Sequence, residues 1–460
     1  MTRSTIAGRL TRNLSASLLA KASVSIYRVA IIPLLIWFLG AERYGEWLLL
    51  SALPSWLSLS SFSLGSVAAN AMTLHAAKGD HREARSVYST TMVALAVFAA
   101  VGVAIAAALL WLVQAGIMTL PGRSVAVPGS TLMAIGLLCG SVFVSFFAEP
   151  LAARLRAAGK ADVGIALGGT MPWIEAACCV FALIVRADFV SLASATLVSR
   201  CLYVAVNWWI SRRAHDELYF SWPDVRASLI APLLSKGLAY QALPLGHALS
   251  NQAMLMVVGA AIGPMAVAVF GTARTMIRLG TQAMELINFA IWPEMSLLLG
   301  AGDYPQAAAL HRAAAAFTIG TGIATAIGAT LAGPWVFDLW TLRELSVTHG
   351  LMAVFGLSML LQSVWHASLI VQLAANQHEG VAARYVIGAL LAVLLCYPLC
   401  KMWGLYGAAG SSLIVDALLI PYSLAKALTI THDTMTEFVG GLLPAMRAGL
   451  SRVRRHVVAG

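Results

Sequence analysis

Apolar runs of twenty residues or more recur from one end of the chain to the other, and the polar positions fall in short breaks between them. A run of that length crosses a bilayer as a helix. The breaks predict about twelve spans, over 17–39, 46–70, 88–113, 130–151, 163–185, 190–210, 237–262, 265–291, 313–334, 349–372, 383–403 and 405–427. The sizeable joints are 71–87, 212–236, 292–312 and the tail after Ala427. Arg3, Arg9 and Arg12 precede the first run as in a signal peptide, but Lys21 interrupts that run and no small-residue cleavage motif comes after it. An uncleaved first helix is expected.

No charge occurs between Lys236 and Arg274, a length that fits either one long span or a span, a turn and the start of another. An internal repeat favours the turn. A shift of 223 residues lays Gly40-Ala41-Glu42-Arg43-Tyr44-Gly45 on Gly263-Pro264-Met265-Ala266-Val267-Ala268, and Lys78-Gly79-Asp80-His81 on Ala301-Gly302-Asp303-Tyr304. A shift of 217 pairs Ala157-Ala158-Gly159-Lys160 with Ala374-Ala375-Asn376-Gln377. The expected architecture is therefore all-α: two six-helix lobes in parallel repeat around a central cavity, where such repeats place a substrate. The divisions are an N-lobe over 1–211, an inter-lobe linker over 212–236, a C-lobe over 237–428 and a tail over 429–460.

Composition agrees: 60% of the 460 residues are hydrophobic and 11% charged, less than half the charge of an ordinary soluble domain. The net charge of +10 would suggest nucleic acid in a soluble protein. Here it tracks topology. Loops on one side carry Lys78, Arg82, Arg85, Arg154, Arg156, Lys160, Arg212, Arg213, Arg226 and Lys236, while those on the other hold Arg43, Arg123, Arg186, Arg343 and Lys401. That bias predicts both termini in the cytoplasm. The tail from Thr434 to Val458 sets Phe438, Leu442, Leu443, Met446, Leu450 and Val453 beside Arg447, Arg452, Arg454 and Arg455, a basic amphipathic segment suited to the surface of the anionic leaflet.

The eighth span carries the candidate chemistry. Spacings of four, four and three put Arg274, Arg278, Gln282 and Glu285 along one helical face. A guanidinium near the bilayer centre costs about 2.5–3.5 kcal/mol and cannot shed its proton, so it faces protein or a water-filled interior.

The run Pro33-Leu34-Leu35-Ile36-Trp37-Phe38-Leu39-Gly40-Ala41-Glu42-Arg43-Tyr44-Gly45-Glu46-Trp47 resembles the joint between the first two helices of Wzx-type polysaccharide flippases. These belong to the multidrug/oligosaccharidyl-lipid/polysaccharide exporter superfamily. The Lys78-Gly79-Asp80 loop and the twelve-helix layout agree, while the acidic patch of many relatives reads Ser61-Phe62-Ser63-Leu64-Gly65 here. The resemblance implies a flippase of a bacterial inner membrane, moving an undecaprenyl-pyrophosphate-linked oligosaccharide for surface or exopolysaccharide synthesis. Membrane lipids and polysaccharide polymerase or export proteins are then the expected partners, with no nucleic acid.

A lipid diphosphate needs more than one cation, and Arg forks bind phosphate oxygens bidentately. Arg28, Arg200, Arg274 and Arg278 are the candidates, with Gln282 beside them and Asn251 matching Arg28 under the 223-residue shift. Three arrangements satisfy such arginines: contact with substrate, internal pairing with Glu175, Glu285 or Asp416, or snorkelling to an interface. The same three carboxylates are the candidate ion carriers, since no ATP motif occurs. His366, alone on an apolar helix, reads as a packing residue.

No catalytic motif is found, and an enzyme is not expected. Cys139, Cys178, Cys179, Cys201, Cys396 and Cys400 all lie in apolar segments and lack the further ligands a metal needs, so neither metal nor cofactor is expected. The rival readings are a cation-coupled multidrug exporter of the same superfamily and a non-transporting scaffold for envelope polysaccharide machinery.

Overall fold

The computed structural model describes residues 3–61, 63–116, 128–214 and 218–444. Arg123, Phe62 and the basic part of the tail, Arg447, Arg452, Arg454 and Arg455, lie outside them. Among the described residues there is no strand. The chain divides into two compact units, Met1–Pro244 and Leu245–Gly460.

The first unit contains α1 (Arg3–Leu39), α2 (Ala41–Ser58), α3 (Leu64–Ala77), α4 (His81–Gln114), α5 (Gly129–Ser145), α6 (Ala148–Ala157), α7 (Ala161–Val185), α8 (Phe189–Ala214) and α9 (Ile230–Tyr240). The second begins within α10 (Ala242–Ala248) and continues with a π-helical turn (Leu249–Ala253) and α11 (Met254–Ala261). Next come α12 (Pro264–Ala301), α13 (Tyr304–Trp340), α14 (His349–Ala374), α15 (Glu379–Trp403) and α16 (Leu405–Thr431). A short helix over 435–444 closes the described chain.

Each expected span has its helix, although three are interrupted, the fourth by a turn at Phe146–Phe147 between α5 and α6. The second bends by 41° between Ser61 and Leu64. Serines along that span turn back on their own backbone: Ser51 donates to the Trp47 carbonyl at 2.8 Å, and Ser58 to that of Ser55 at 2.7 Å. Such bonds offer the chain an alternative to the helical ladder, and the helix ends there in a tighter turn, Leu59–Ser61. The seventh, expected as one helix over 237–262, is broken into α9, α10, the π turn and α11. Its end is also decided: Gly263, at φ 124°, makes the turn that separates α11 from α12, so the stretch between Lys236 and Arg274 is two passes. By length and hydropathy, nine helices among the described residues could each cross a membrane, or ten with the bent pair counted as one.

The repeat is visible in local geometry. Gly79 and Gly302 sit at φ 78° and 72°, each succeeded by an Asp that caps the next helix, Asp80 at φ −87°, ψ 70° and Asp303 at φ −84°, ψ 70°. Their carboxylates accept from the amides of Glu83 (3.1 Å) and Gln306 (3.2 Å), which satisfies a donor the helix start would otherwise leave open. Gly159 at φ 72° is matched by Asn376 at φ 56°, asparagine being the residue besides glycine that enters the left-handed region readily.

Each unit has its own core. In the first, Leu64, Met72, Tyr88, Leu95, Phe143 and Leu218 cluster together. In the second, α13 and α14 come close: a Cβ on Gly356 would lie 3.0 Å from the Ala326 Cα. Small residues allow such approach where water supplies no driving force between helices. The outward faces are apolar, as with Val97, Val101, Ile105 and Trp111 on α4 and Ile387, Leu391 and Leu394 on α15. Apolar surface of that extent belongs in lipid. The molecule is a polytopic helical membrane protein.

Candidate functional site

The interruption of the seventh pass builds the site. A π turn closes hydrogen bonds from i+5 to i and throws a carbonyl out of the regular ladder. In the second unit, Arg274 of α12 takes up those groups: Nη1 donates to the Ser250 carbonyl at 3.0 Å and Nη2 to that of Asn251 at 2.7 Å. Its guanidinium also lies 5.2 Å from the centre of the Phe270 ring, one turn back on the same helix.

One turn further on, Arg278 is exposed, and its Nη1 reaches the Asn251 Oδ1 at 3.4 Å. Asn251 Nδ2 donates in turn to the His247 carbonyl at 2.8 Å. The His247 ring meets Tyr385 of α15, with 3.1 Å between Nδ1 and the hydroxyl. Gly246 admits that tyrosine, since a Cβ there would run into its ring. Among the described residues, neither Arg274 nor Arg278 has a carboxylate within ion-pair distance. Their charges are met by carbonyl and amide oxygens.

The rest of α12 is polar on the same side. Gln282 is half-buried, Thr281 donates to Gln362 Oε1 of α14 at 3.1 Å, and Glu285 is exposed. Asn288 bonds both the ring and the carbonyl of His366. Asp416, buried on α16, accepts from Ser358 Oγ at 3.0 Å and Trp365 Nε1 at 2.9 Å, both on α14.

The remaining candidates are in the first unit. Arg200 of α8 donates from Nη2 to Glu175 Oε2 of α7 at 3.0 Å, so these two satisfy one another. Arg28 is half-buried on α1. The four arginines therefore differ: one meets a carboxylate, one holds backbone carbonyls, one is exposed, and Arg28 is partly covered. Sequence reasoning did not find Ser250, Tyr385 or the π turn. The residues Leu249-Ser250-Asn251-Gln252-Ala253 contain neither Pro nor Gly, although Pro244 and Gly246 stand just before them.

Outside the spans, the segment after α8 is strapped to the start of α4. Arg85 Nε donates to Asp224 Oδ2 at 2.6 Å and its Nη1 to the Tyr219 hydroxyl at 2.9 Å. Arg226 grips both oxygens of Glu83, and Ser86 donates to the Asp224 carbonyl at 2.7 Å. Hydrogen bonding from Ser221, and then from Arg85, holds the Asp224 carboxyl below the usual carboxylate range.

The start of the tail is likewise docked on its own unit, with Met435, Val439 and Leu443 left exposed. Phe438 is buried beside His311 with ring centres 5.0 Å apart, and Gly441 lets the helix rest on Arg312. The apolar residues Phe438 and Leu442, read as a face for lipid, are covered by Ala314, Ala315 and Leu428.

No protein-family model matches the chain, and no curated protein matches it. Solved structures do. A multidrug resistance MATE family transporter of the MOP superfamily, in its inward-facing conformation, aligns with a TM-score of 0.70 at 16% identity, over 92% of this chain and 98% of that one. An outward-facing conformation of such a transporter aligns at 0.63 and 15% identity, over 93% and 97%. A MOP superfamily transporter from Pyrococcus furiosus, described as having a binding pocket of reverse polarity that suggests a different function, aligns at 0.62 and 14%, over 95% of both chains. Likeness at this level of identity defines the fold. The chain has the MATE fold of two lobes of six helices.

Proposed function

We propose that this protein carries an anionic lipid-linked oligosaccharide, of the undecaprenyl-pyrophosphate class, between the leaflets of a bacterial inner membrane by alternating access. The observation that carries the reading is Arg278, an exposed guanidinium whose described neighbours offer it an amide oxygen at 3.4 Å and no carboxylate. Its helix, α12, has 38 residues and is more polar than the nine that meet the hydropathy of a membrane span among the described residues. A fixed cation so placed costs free energy that only an anion can recover fully. A phosphate suits it, because the guanidinium fork matches two phosphate oxygens. The Pro33–Trp47 motif supports the same class of cargo. Glu285, two turns along the helix from Arg278, and Asp416 are the carboxylates we propose for a coupling ion, Glu175 being engaged by Arg200.

Replacing Arg278 by Ala, and separately Arg28 by Ala, should abolish surface polysaccharide while the protein stays in the membrane at normal level. In liposomes, a fluorescent lipid diphosphate sugar should change leaflet with the intact protein and not with Arg278→Ala. Unchanged transport in both variants would remove the basis of the reading.

The likeness to MATE transporters favours a second reading, a cation-coupled multidrug exporter. Such a pump takes cationic drugs, for which an exposed arginine is a poor host and Glu285 a better one. A susceptibility panel with and without the gene separates the two: protection against cationic drugs belongs to the exporter alone.

A further inference from the structure

The π turn over Leu249–Ala253 has Arg274 set against it, whose two terminal nitrogens hold the Ser250 and Asn251 carbonyls at 3.0 and 2.7 Å. We infer that Arg274 is not a substrate ligand but a positioning residue, which keeps the seventh pass in its π register and so sets Asn251 against Arg278. The inference rests on the reading of Arg278 as the anion-binding group.

Three physical points support it. First, two of the five N–H donors of Arg274, one on each Nη, are spent on carbonyls of the seventh pass and its face is turned to Phe270, whereas Arg278 is exposed with a 3.4 Å contact to Asn251. Second, in an apolar medium a carbonyl outside the helical ladder needs a donor, and a charged donor is a strong one. Arg274 meets two such carbonyls at once, which a lysine, with a single compact charge, would do less well. Third, the π turn carries one residue more than the α path would. If it relaxed, residues before it would rotate by about 100° and shift by about 1.5 Å relative to those after it. His247 would leave Tyr385, and Asn251 would leave Arg278, so the whole chain of contacts from Tyr385 to Arg278 depends on the register. The arrangement separates two tasks within one helical face: Arg274 holds the frame and Arg278 meets the ligand.

The test uses the full-length protein in lipid nanodiscs, with inorganic pyrophosphate as the probe in calorimetry. Arg278→Gln should weaken binding about tenfold or more, the loss expected for one charge-assisted contact. Arg274→Gln should weaken it about as much as Asn251→Ala, and the double variant should be no worse than either alone. Arg274→Lys should behave like Arg274→Gln even though the charge is kept. In liposome transport of a lipid diphosphate, the Arg274→Gln loss should fall on KM rather than kcat. An electron-microscopy structure of Arg274→Gln should show α11 continuous with α10. A π turn that persists in that variant overturns the inference whatever the ligand, as does full pyrophosphate affinity in a folded Arg274→Gln protein. Full affinity in Arg278→Gln would instead overturn the diphosphate reading, and the structure of Arg274→Gln would still decide the register.

Discussion

Arg312 of α13 grips Asp433 through two parallel bonds, Nε to Oδ2 at 2.8 Å and Nη2 to Oδ1 at 2.7 Å. The first unit has its counterpart in Arg85 and Asp224. In each unit, the segment that leaves the sixth pass folds back on the start of the third and is held there by an Arg–Asp pair. The repeat thus extends beyond the membrane-length helices to the polar contacts that fasten the segments leaving them.

The Asp433 side chain is fully buried, so removing it strands the guanidinium and uncovers the seat of Phe438. Asp433→Ala should destabilise the protein by about 3 kcal/mol. Limited proteolysis would then cut within 434–444 at protease levels the parent survives; equal resistance would mean that the tail docks through Phe438 alone.

The linker strap carries a pH dependence whose sign is set by Asp224. Its folded carboxyl lies below the ordinary value, so its contribution is complete above about pH 4 and fades as pH falls through the folded value. Hydrogen exchange over 218–229 should be protected equally at pH 8 and pH 5 and lose protection only in stronger acid. Asp224→Asn should abolish that acid step.

Arg200 and Glu175 are half-buried partners between α8 and α7. Glu175→Gln alone should lower stability by about 1–2 kcal/mol after solvent screening, and Arg200→Gln in the same protein should recover most of it. Melting temperature and membrane abundance report this directly. If the double variant is stable and still fails in transport, Arg200 does more than pair.

The repeat itself can be tested at Gly159 and Asn376, both left-handed. Asn376→Gly should leave stability within about 0.5 kcal/mol, while Asn376→Val or Gly159→Val should each lose about 1–2 kcal/mol. A silent Asn376→Val would show that the turn has an alternative conformation.

Much of this molecule was legible along the chain, because hydropathy and turn chemistry act locally. Gly40, Gly263, Gly79-Asp80 and Gly302-Asp303 announced their turns through residue type, and the shift of 223 residues matched Gly79-Asp80 to Gly302-Asp303, whose backbone angles agree within a few degrees. The helical face carrying Arg274, Arg278, Gln282 and Glu285 was readable for the same reason: the helical period alone puts them in line.

What the linear order could not assign was the partner of each charge. Arg274 and Arg278 are four residues apart on equivalent apolar backgrounds, yet one holds the carbonyls of a turn in another helix and the other is exposed. That difference arises from which carbonyls and side chains of the seventh pass, α14 and α15 come within hydrogen-bonding reach, a closeness attained only after the helices have packed. By itself the sequence settled the succession of long apolar helices, the turns at Gly40, Gly79, Gly263 and Gly302, and where the chain repeats. Packing decided that Glu175 neutralises Arg200, that the π turn falls at Leu249–Ala253, and that Arg278 has no carboxylate beside it among the described residues.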